Sequence, residues 1–291
     1  MNIKQVLRFH KDAIQGFDRR EFYDQPDETE LVCDNVISGF FEVVKIEHNG
    51  RSELVETWFP PVMKKEGSHM PPRRSRFNAR AFIPDVGTNV QIGNASWLEL
   101  KCAMHFMANR RVVRIEDQSP TIPYVDTDGI ERHHRCDFRI SFDNSTTLAV
   151  AIKPDEKVES RNLDKLKKVL RLNLRGQADD IVILTEAYLT NNRAWNAQSI
   201  IRARRAKNER VYQALREVLP DIHGSVSAYD LARLNPSVAL GEIAVWRLIY
   251  EGALKMVRPE RRLCDAPYVT VNHSILRTSS HHPGPTVSLA A

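Results

Sequence analysis

An α/β core followed by a smaller helical domain is what this sequence predicts, on three observations. Two apolar runs, Thr147–Ile152 and Ile-Val-Ile-Leu within Ala178–Leu189, flank a basic segment from Arg161 to Arg175 that carries Leu163, Leu166, Leu170 and Leu174 on one stripe. Strand, amphipathic helix, strand is the pattern of a βαβ crossover. Upstream, Ser96 stands as an N-cap before Trp97, Leu98, Leu100, Ala103, Met104, Phe106 and Met107, which recur at helical spacing. Beyond Asn196 the pattern turns helical.

Each element has its own signal. Gly39–His48 and Ser52–Phe59 flank Asn49-Gly50, the dipeptide of a tight hairpin. Pro60–Arg76 is rich in Pro, Lys and Arg and reads as a linker or basic arm. The Ser96 helix is expected to end near Asn109. Val112–Ile115 and Thr121–Val125 read as short strands, with a turn at Asp126–Gly129. Phe138–Phe142 and Thr147–Ile152 read as neighbouring strands joined by Asp143-Asn144-Ser145; the second is nearly all apolar, as in a strand buried on both faces. One helix is expected over Ile200–Leu219, carrying Arg202, Arg204, Arg205, Lys207 and Arg210, and two shorter ones over Val226–Leu234 and Val238–Tyr250. Glu251-Gly252 closes the last, and Leu254–Val257 can pair with Tyr268–Val271, a winged-helix pattern. The predicted domains are an N-terminal extension with the hairpin (1–65), a core (66–195), a helical, winged-helix-like domain (196–276) and a disordered tail (277–291).

Composition narrows the function classes. Of 291 residues, 42% are hydrophobic and 27% charged, ordinary for a globular protein. The net charge of +5 and a pI near 9.0 favour a polyanionic partner. Cys33, Cys102, Cys136 and Cys264 lack zinc-ligand or redox-pair spacing, which predicts reduced thiols. Met1–Lys11 has no apolar leader, and no apolar run approaches the roughly 20 residues that span a bilayer, so a cytoplasmic protein with no membrane partner is expected. There is no internal repeat and no Gly-rich phosphate loop, which argues against nucleotide hydrolysis. His133-His134 and His281-His282 have no further ligands at zinc spacing and read as solvated loop. His105 lies off the Glu99 face of its helix, and Trp246 reads as core.

Three residues carry candidate chemistry. Glu99 sits on the Ser96 helix, Asp137 at a strand entrance in Cys-Asp-Phe-Arg-Ile, and Lys153 at the end of the next strand. Taken singly, these types are commonly a solvated acid, a strand-capping aspartate and a snorkelling lysine. Taken in order, two carboxylates can hold a divalent cation and a lysine beside them can orient water or stabilise charge on a scissile phosphate.

These residues resemble the restriction-endonuclease-like superfamily, whose motif is Pro-Asp followed by Asp/Glu-x-Lys, and within it the TnsA-type transposon endonucleases. The match runs through Ser96-Trp-Leu-Glu99, Val112–Pro120 with Gln118-Ser119-Pro120, Cys136-Asp137-Phe138, Ala151-Ile152-Lys153 and Leu184-Thr185-Glu186, over about 78–210. The resemblance implies a restriction-endonuclease-like core and a magnesium-dependent DNA endonuclease (Mn2+ also serving) that cuts at transposon ends beside a transposase and an ATPase regulator. It assigns Asp137 and Glu99 to the metal, with the Ile152 carbonyl as a further oxygen ligand, and Lys153 to water and phosphorane charge. Two departures stand out: Cys136 replaces the proline, and Ala151 stands where most members have an acid, with Asp155 and Glu156 just beyond. Two other readings fit the same residues, a catalytically inactive nuclease-fold DNA-binding or assembly subunit and a restriction- or phage-type nuclease.

Overall fold

The computed structural model describes residues 40–48, 51–59, 81–126, 129–155, 163–206 and 208–279. The chain is mixed α/β and divides into two compact units, with the break between Ile201 and Arg202.

In the first unit, β1 (Phe40–His48) and β2 (Arg51–Phe59) pair antiparallel from His48↔Arg51 to Phe40↔Phe59, the register expected across a two-residue turn. The Asn49-Gly50 turn and the Pro60–Arg76 arm lie outside the described residues, as do Cys33, Glu156, Lys207 and the chain beyond 279. β3 (Ala81–Pro84) and β4 (Gln91–Asn94) form a second hairpin. Then follow α1 (Trp97–Met107), β5 (Val112–Asp117), β6 (Thr121–Val125), β7 (Glu131–Arg135), β8 (Phe138–Phe142), β9 (Thr147–Ile152), α2 (Leu163–Leu172), β10 (Asp180–Leu184) and α3 (Asn191–Arg205).

The central sheet runs β10-β9-β8-β5. β5, β8 and β9 are antiparallel neighbours, and β9 and β10 are parallel, joined through α2. A parallel pair needs such a crossover, as the apolar–amphipathic–apolar order predicts. One face of the sheet, with Phe138, Ile140, Val150 and Ile152, packs on Cys102, Met104 and Phe106 of α1 and on Ala194, Ala197 and Ile201 of α3. The other, with Ala149 and Ile181, packs on Leu170 and Leu174 and on Ile122 of β6. Of the predicted α2 stripe, Leu170 and Leu174 are buried and Leu166 half-buried, whereas Trp97 of the α1 run is exposed. His133 and His134 lie on β7, paired with β6, and not in a loop. No helix among the described residues is long and apolar enough to cross a membrane.

The second unit comprises α4 (Glu209–Val218), a 3-10 turn at Leu219–Asp221, β11 (Ser225–Ser227), α5 (Ala228–Ala232), α6 (Val238–Glu251), β12 (Leu254–Met256), β13 (Tyr268–Val271) and α7 (His273–Ser279). Its sheet order is β11-β13-β12, all antiparallel. The core is Val211, Leu215, Leu219, Leu231, Val245, Leu248, Leu254 and Val269, and Trp246 is buried as expected. Ser237 N-caps α6 and Gly252, at φ 80, ends it in the left-handed conformation glycine adopts at least cost.

The single helix expected over Ile200–Leu219 is two helices. The chain breaks after Arg205, and Asn208 starts α4 by accepting a hydrogen bond from the Val211 amide at 2.9 Å. The arginines therefore do not share one basic helix face. Arg204 lies over the Tyr250 ring at 4.6 Å.

Candidate active site

Glu99 is buried, and the reason is local. Ser96 Oγ accepts from the Glu99 amide (3.1 Å) and donates to Glu99 Oε1 (2.9 Å), while the Ala95 amide donates to Glu99 Oε2 (2.8 Å). This is a reciprocal capping arrangement, so Glu99 is not a solvated surface acid. The Ser-x-x-Glu spacing carried that signal in the sequence. Replacing Ser96 with alanine is expected to cost about 1 kcal/mol, read as a lower midpoint in urea unfolding.

Asp137 stands one residue before β8, held by its main chain. Its amide donates to the Val150 carbonyl (2.9 Å) and its carbonyl accepts from the Gln118 amide (2.7 Å). Its Oδ2 accepts from the Ile152 amide at 2.6 Å. In an extended strand the N–H and C=O of one residue point to the same side, so the Ile152 carbonyl lies along the edge that Asp137 caps. Lys153 follows, its amide donating to the Leu184 carbonyl at 3.1 Å.

The Asp137 carboxyl responds to both other candidates. Burial pushes it up to about 6; the Ile152 N–H and the Lys153 ammonium oppose that rise, and the Glu99 carboxylate adds to it. Cys102, one turn along α1 from Glu99, is raised by burial and then by Asp137 and Glu99. Burial and Asp137 push Cys136 up to about 12, against Lys153. Burial lowers His134, and Lys153 lowers it further, which favours the neutral imidazole. All of these groups lie at one end of the sheet, where β5 and β9 finish and β8 begins.

Alternation along β9 splits its side chains between the two faces of the sheet. Val150 and Ile152 belong to the face shared with α1, and Ala149 to the face shared with α2. Lys153 follows the end of the strand, and His134 and Cys136 feel its charge. Asp137 feels the charge of both Glu99 and Lys153.

Ala151 is 1% exposed. A carboxylate there would lose its hydration inside the core, a heavy penalty without a paired cation. Asp155 is exposed, and its amide donates to Glu186 Oε2 at 2.8 Å, which ties the segment after Lys153 to the end of β10. Sequence reasoning missed Asp117, the last residue of β5 and buried. Its Oδ2 accepts from the Gly93 amide at 3.1 Å, and a Cβ at Gly93 would stand 3.1 Å from the same oxygen. The latch holds β4, which leads directly into the Ser96 cap.

The oxygens near this corner that could serve a cation are the Asp137 and Glu99 carboxylates, the latter's two oxygens engaged in the cap, and the Ile152 carbonyl. No group of three or more His, Cys, Asp or Glu among the described residues is arranged to hold a metal ion. Oxygen donors of this kind are those that hard cations such as Mg2+ take, in ones and twos alongside waters. Compared with known families and curated proteins, the chain matches no family model and no curated protein.

Proposed function

We propose that the chain is a magnesium-dependent DNA endonuclease with a restriction-endonuclease-like core of the TnsA type and a winged-helix C-terminal domain. The observation that carries this reading is Asp137 at the entrance of β8, in electrostatic contact with Glu99 and Lys153, within the order α1-β5-β8-β9-α2-β10 and a β10-β9-β8-β5 sheet. The order α4-β11-α5-α6-β12-β13 with a β11-β13-β12 sheet supports the winged-helix reading. The proposed substrate is DNA at a transposon end, with a transposase and an ATPase regulator as partners.

Asp137, Glu99 and the Ile152 carbonyl would hold the ion. When bound, it supplies a Lewis acid and makes a coordinated water a stronger nucleophile. The Ile152 amide keeps the Asp137 carboxylate oriented, and the Ser96 cap does the same for Glu99. Lys153 balances negative charge as it develops on the phosphate, an effect that is strongest where water is excluded.

Glu99→Gln separates the cap from the metal. Glutamine's amide oxygen still accepts from Ala95 and its NH2 can donate to Ser96 Oγ, so stability is expected to change by less than about 0.5 kcal/mol. Cleavage of supercoiled plasmid is expected to fall roughly 10²-fold. The buried Ala151 favours a second reading, a nuclease-fold subunit that binds DNA without cutting it. A wild-type protein inert with both magnesium and manganese, alone and with its partners, would establish that reading instead.

A further inference from the structure

We propose that the outward stripe of α1, together with Tyr188 and Arg193, is a track for an unpaired DNA strand leading away from the Glu99 corner. This rests on the DNA reading above and names the form of DNA taken on that side of the site. The stripe differs from an ordinary solvated helix face. Trp97, Lys101 and His105 recur every fourth residue and so share one side of the helix. Trp97 is 55% exposed, and Lys101 and His105 are half-buried. Glu99, the one acid of α1, is buried and held by the Ser96 cap. The stripe therefore offers rings and a cation, and no carboxylate.

At its far end the stripe meets a built stack. The His105 ring stands edge-on to Tyr188, with 5.2 Å between centres at 86°, and its Nε2 shares a hydrogen bond of 3.1 Å with the Tyr188 hydroxyl. The Arg193 guanidinium lies 4.6 Å from the centre of the same Tyr188 ring. Tyr188 is nonetheless 39% exposed. Its turn is fixed, because the Tyr188 and Leu189 amides both donate to the Thr185 carbonyl (3.1 and 2.8 Å) and Leu189 is buried. The acid nearest in sequence, Glu186, accepts from the Asp155 amide at 2.8 Å.

Trp97 and His105 are eight residues apart, about 12 Å of helix. Ring, cation, ring, cation over that length suits an unpaired strand, whose open bases stack on rings while its phosphates meet the cations between them. An intact duplex keeps those base faces covered by its own stacking. A guanidinium lying on an aromatic ring still has N–H groups at its edge for a phosphate. α1 begins at Trp97, one residue after the cap that holds Glu99, so the track starts at the proposed cleavage site.

The test is the affinity of the full chain for a fluorescein-labelled oligothymidine and for an intact duplex. Trp97→Ala, at an exposed position, is expected to weaken oligothymidine binding about 10-fold and to leave duplex binding unchanged. Trp97→Phe is expected to restore most of the loss. Tyr188→Ala is expected to lose as much as Trp97→Ala, and Tyr188→Phe, which keeps the ring and drops the His105 hydrogen bond, little. For Lys101→Gln the slope of log affinity against log salt is expected to shrink by about 0.7, the share of one phosphate on a single strand. If wild type binds the oligothymidine and both alanine variants bind it equally well, the track is overturned and the stripe serves a protein partner. If wild type binds the duplex alone, the track is overturned and the DNA reading stands; binding to neither removes both.

Discussion

Replacing Asp137 with asparagine is expected to remove the proposed magnesium-dependent cleavage, by roughly 10³-fold or more (about 4 kcal/mol of barrier), while making the metal-free protein more stable above pH 6. Asparagine keeps an oxygen to accept the Ile152 amide, so the β8–β9 corner stays joined. What it removes is a negative charge in a half-buried site that already faces Glu99. In the folded protein Asp137 titrates near 6, above the roughly 3.9 of an unfolded aspartate. The folded state therefore holds the proton more tightly. Its stabilising share is complete below about pH 4 and is lost as pH rises through 6, up to about 3 kcal/mol. Urea unfolding in EDTA is expected to show that decline in wild type and not in Asp137→Asn. Added magnesium is expected to raise the wild-type midpoint alone, since Asp137→Asn lacks the carboxylate proposed as its ligand. A parallel pH dependence in the two proteins would mean that Asp137 is already solvated and ionised.

Gly241→Ala is expected to destabilise the second unit by about 3 kcal/mol or more. In an ordinary helix interior the same change stabilises by roughly 1 kcal/mol, since alanine is the better helix former. At this site a Cβ would stand 2.1 Å from the Ala232 carbonyl oxygen and 2.8 Å from that residue's carbonyl carbon and Cα. All three are backbone atoms, so no rotamer relieves the contact; α5 and α6 must move apart, opening the packing around Leu231, Val245 and Leu248. The thermal midpoint of the second unit is expected to drop by on the order of 15 °C. An unchanged or raised midpoint would show that the two helices yield at little cost.

Where an element buries a regular apolar stripe, the sequence was readable. α1, α2 and β8 carried clear periodicity and β9 and β10 continuous apolar runs, and their observed bounds differ from the expected ones by a few residues at most ends. Elements without such a stripe were missed. β7 reads Glu-Arg-His-His-Arg and is mostly exposed, so nothing apolar alternates along it. β11 spans only Ser225–Ser227 and merges into the following helix. The break between α3 and α4 had one signal, Asn208 as an N-cap, which the continuous run of arginines obscured.

The sequence by itself determined which segments would bury apolar surface and that two strands would be joined by a crossover helix, and it set Glu99, Asp137 and Lys153 at a helix start, a strand entrance and a strand end. These follow from local spacing, because periodicity, caps and turn residues act within a few positions along the chain. Tertiary structure decided what each charge meets. Sheet register placed the Ile152 amide on Asp137. Packing of α4 on α6 engaged Arg247 with Glu209. A charge's role depends on its burial and its partners, and those are set by residues tens of positions away, so no local pattern could assign them.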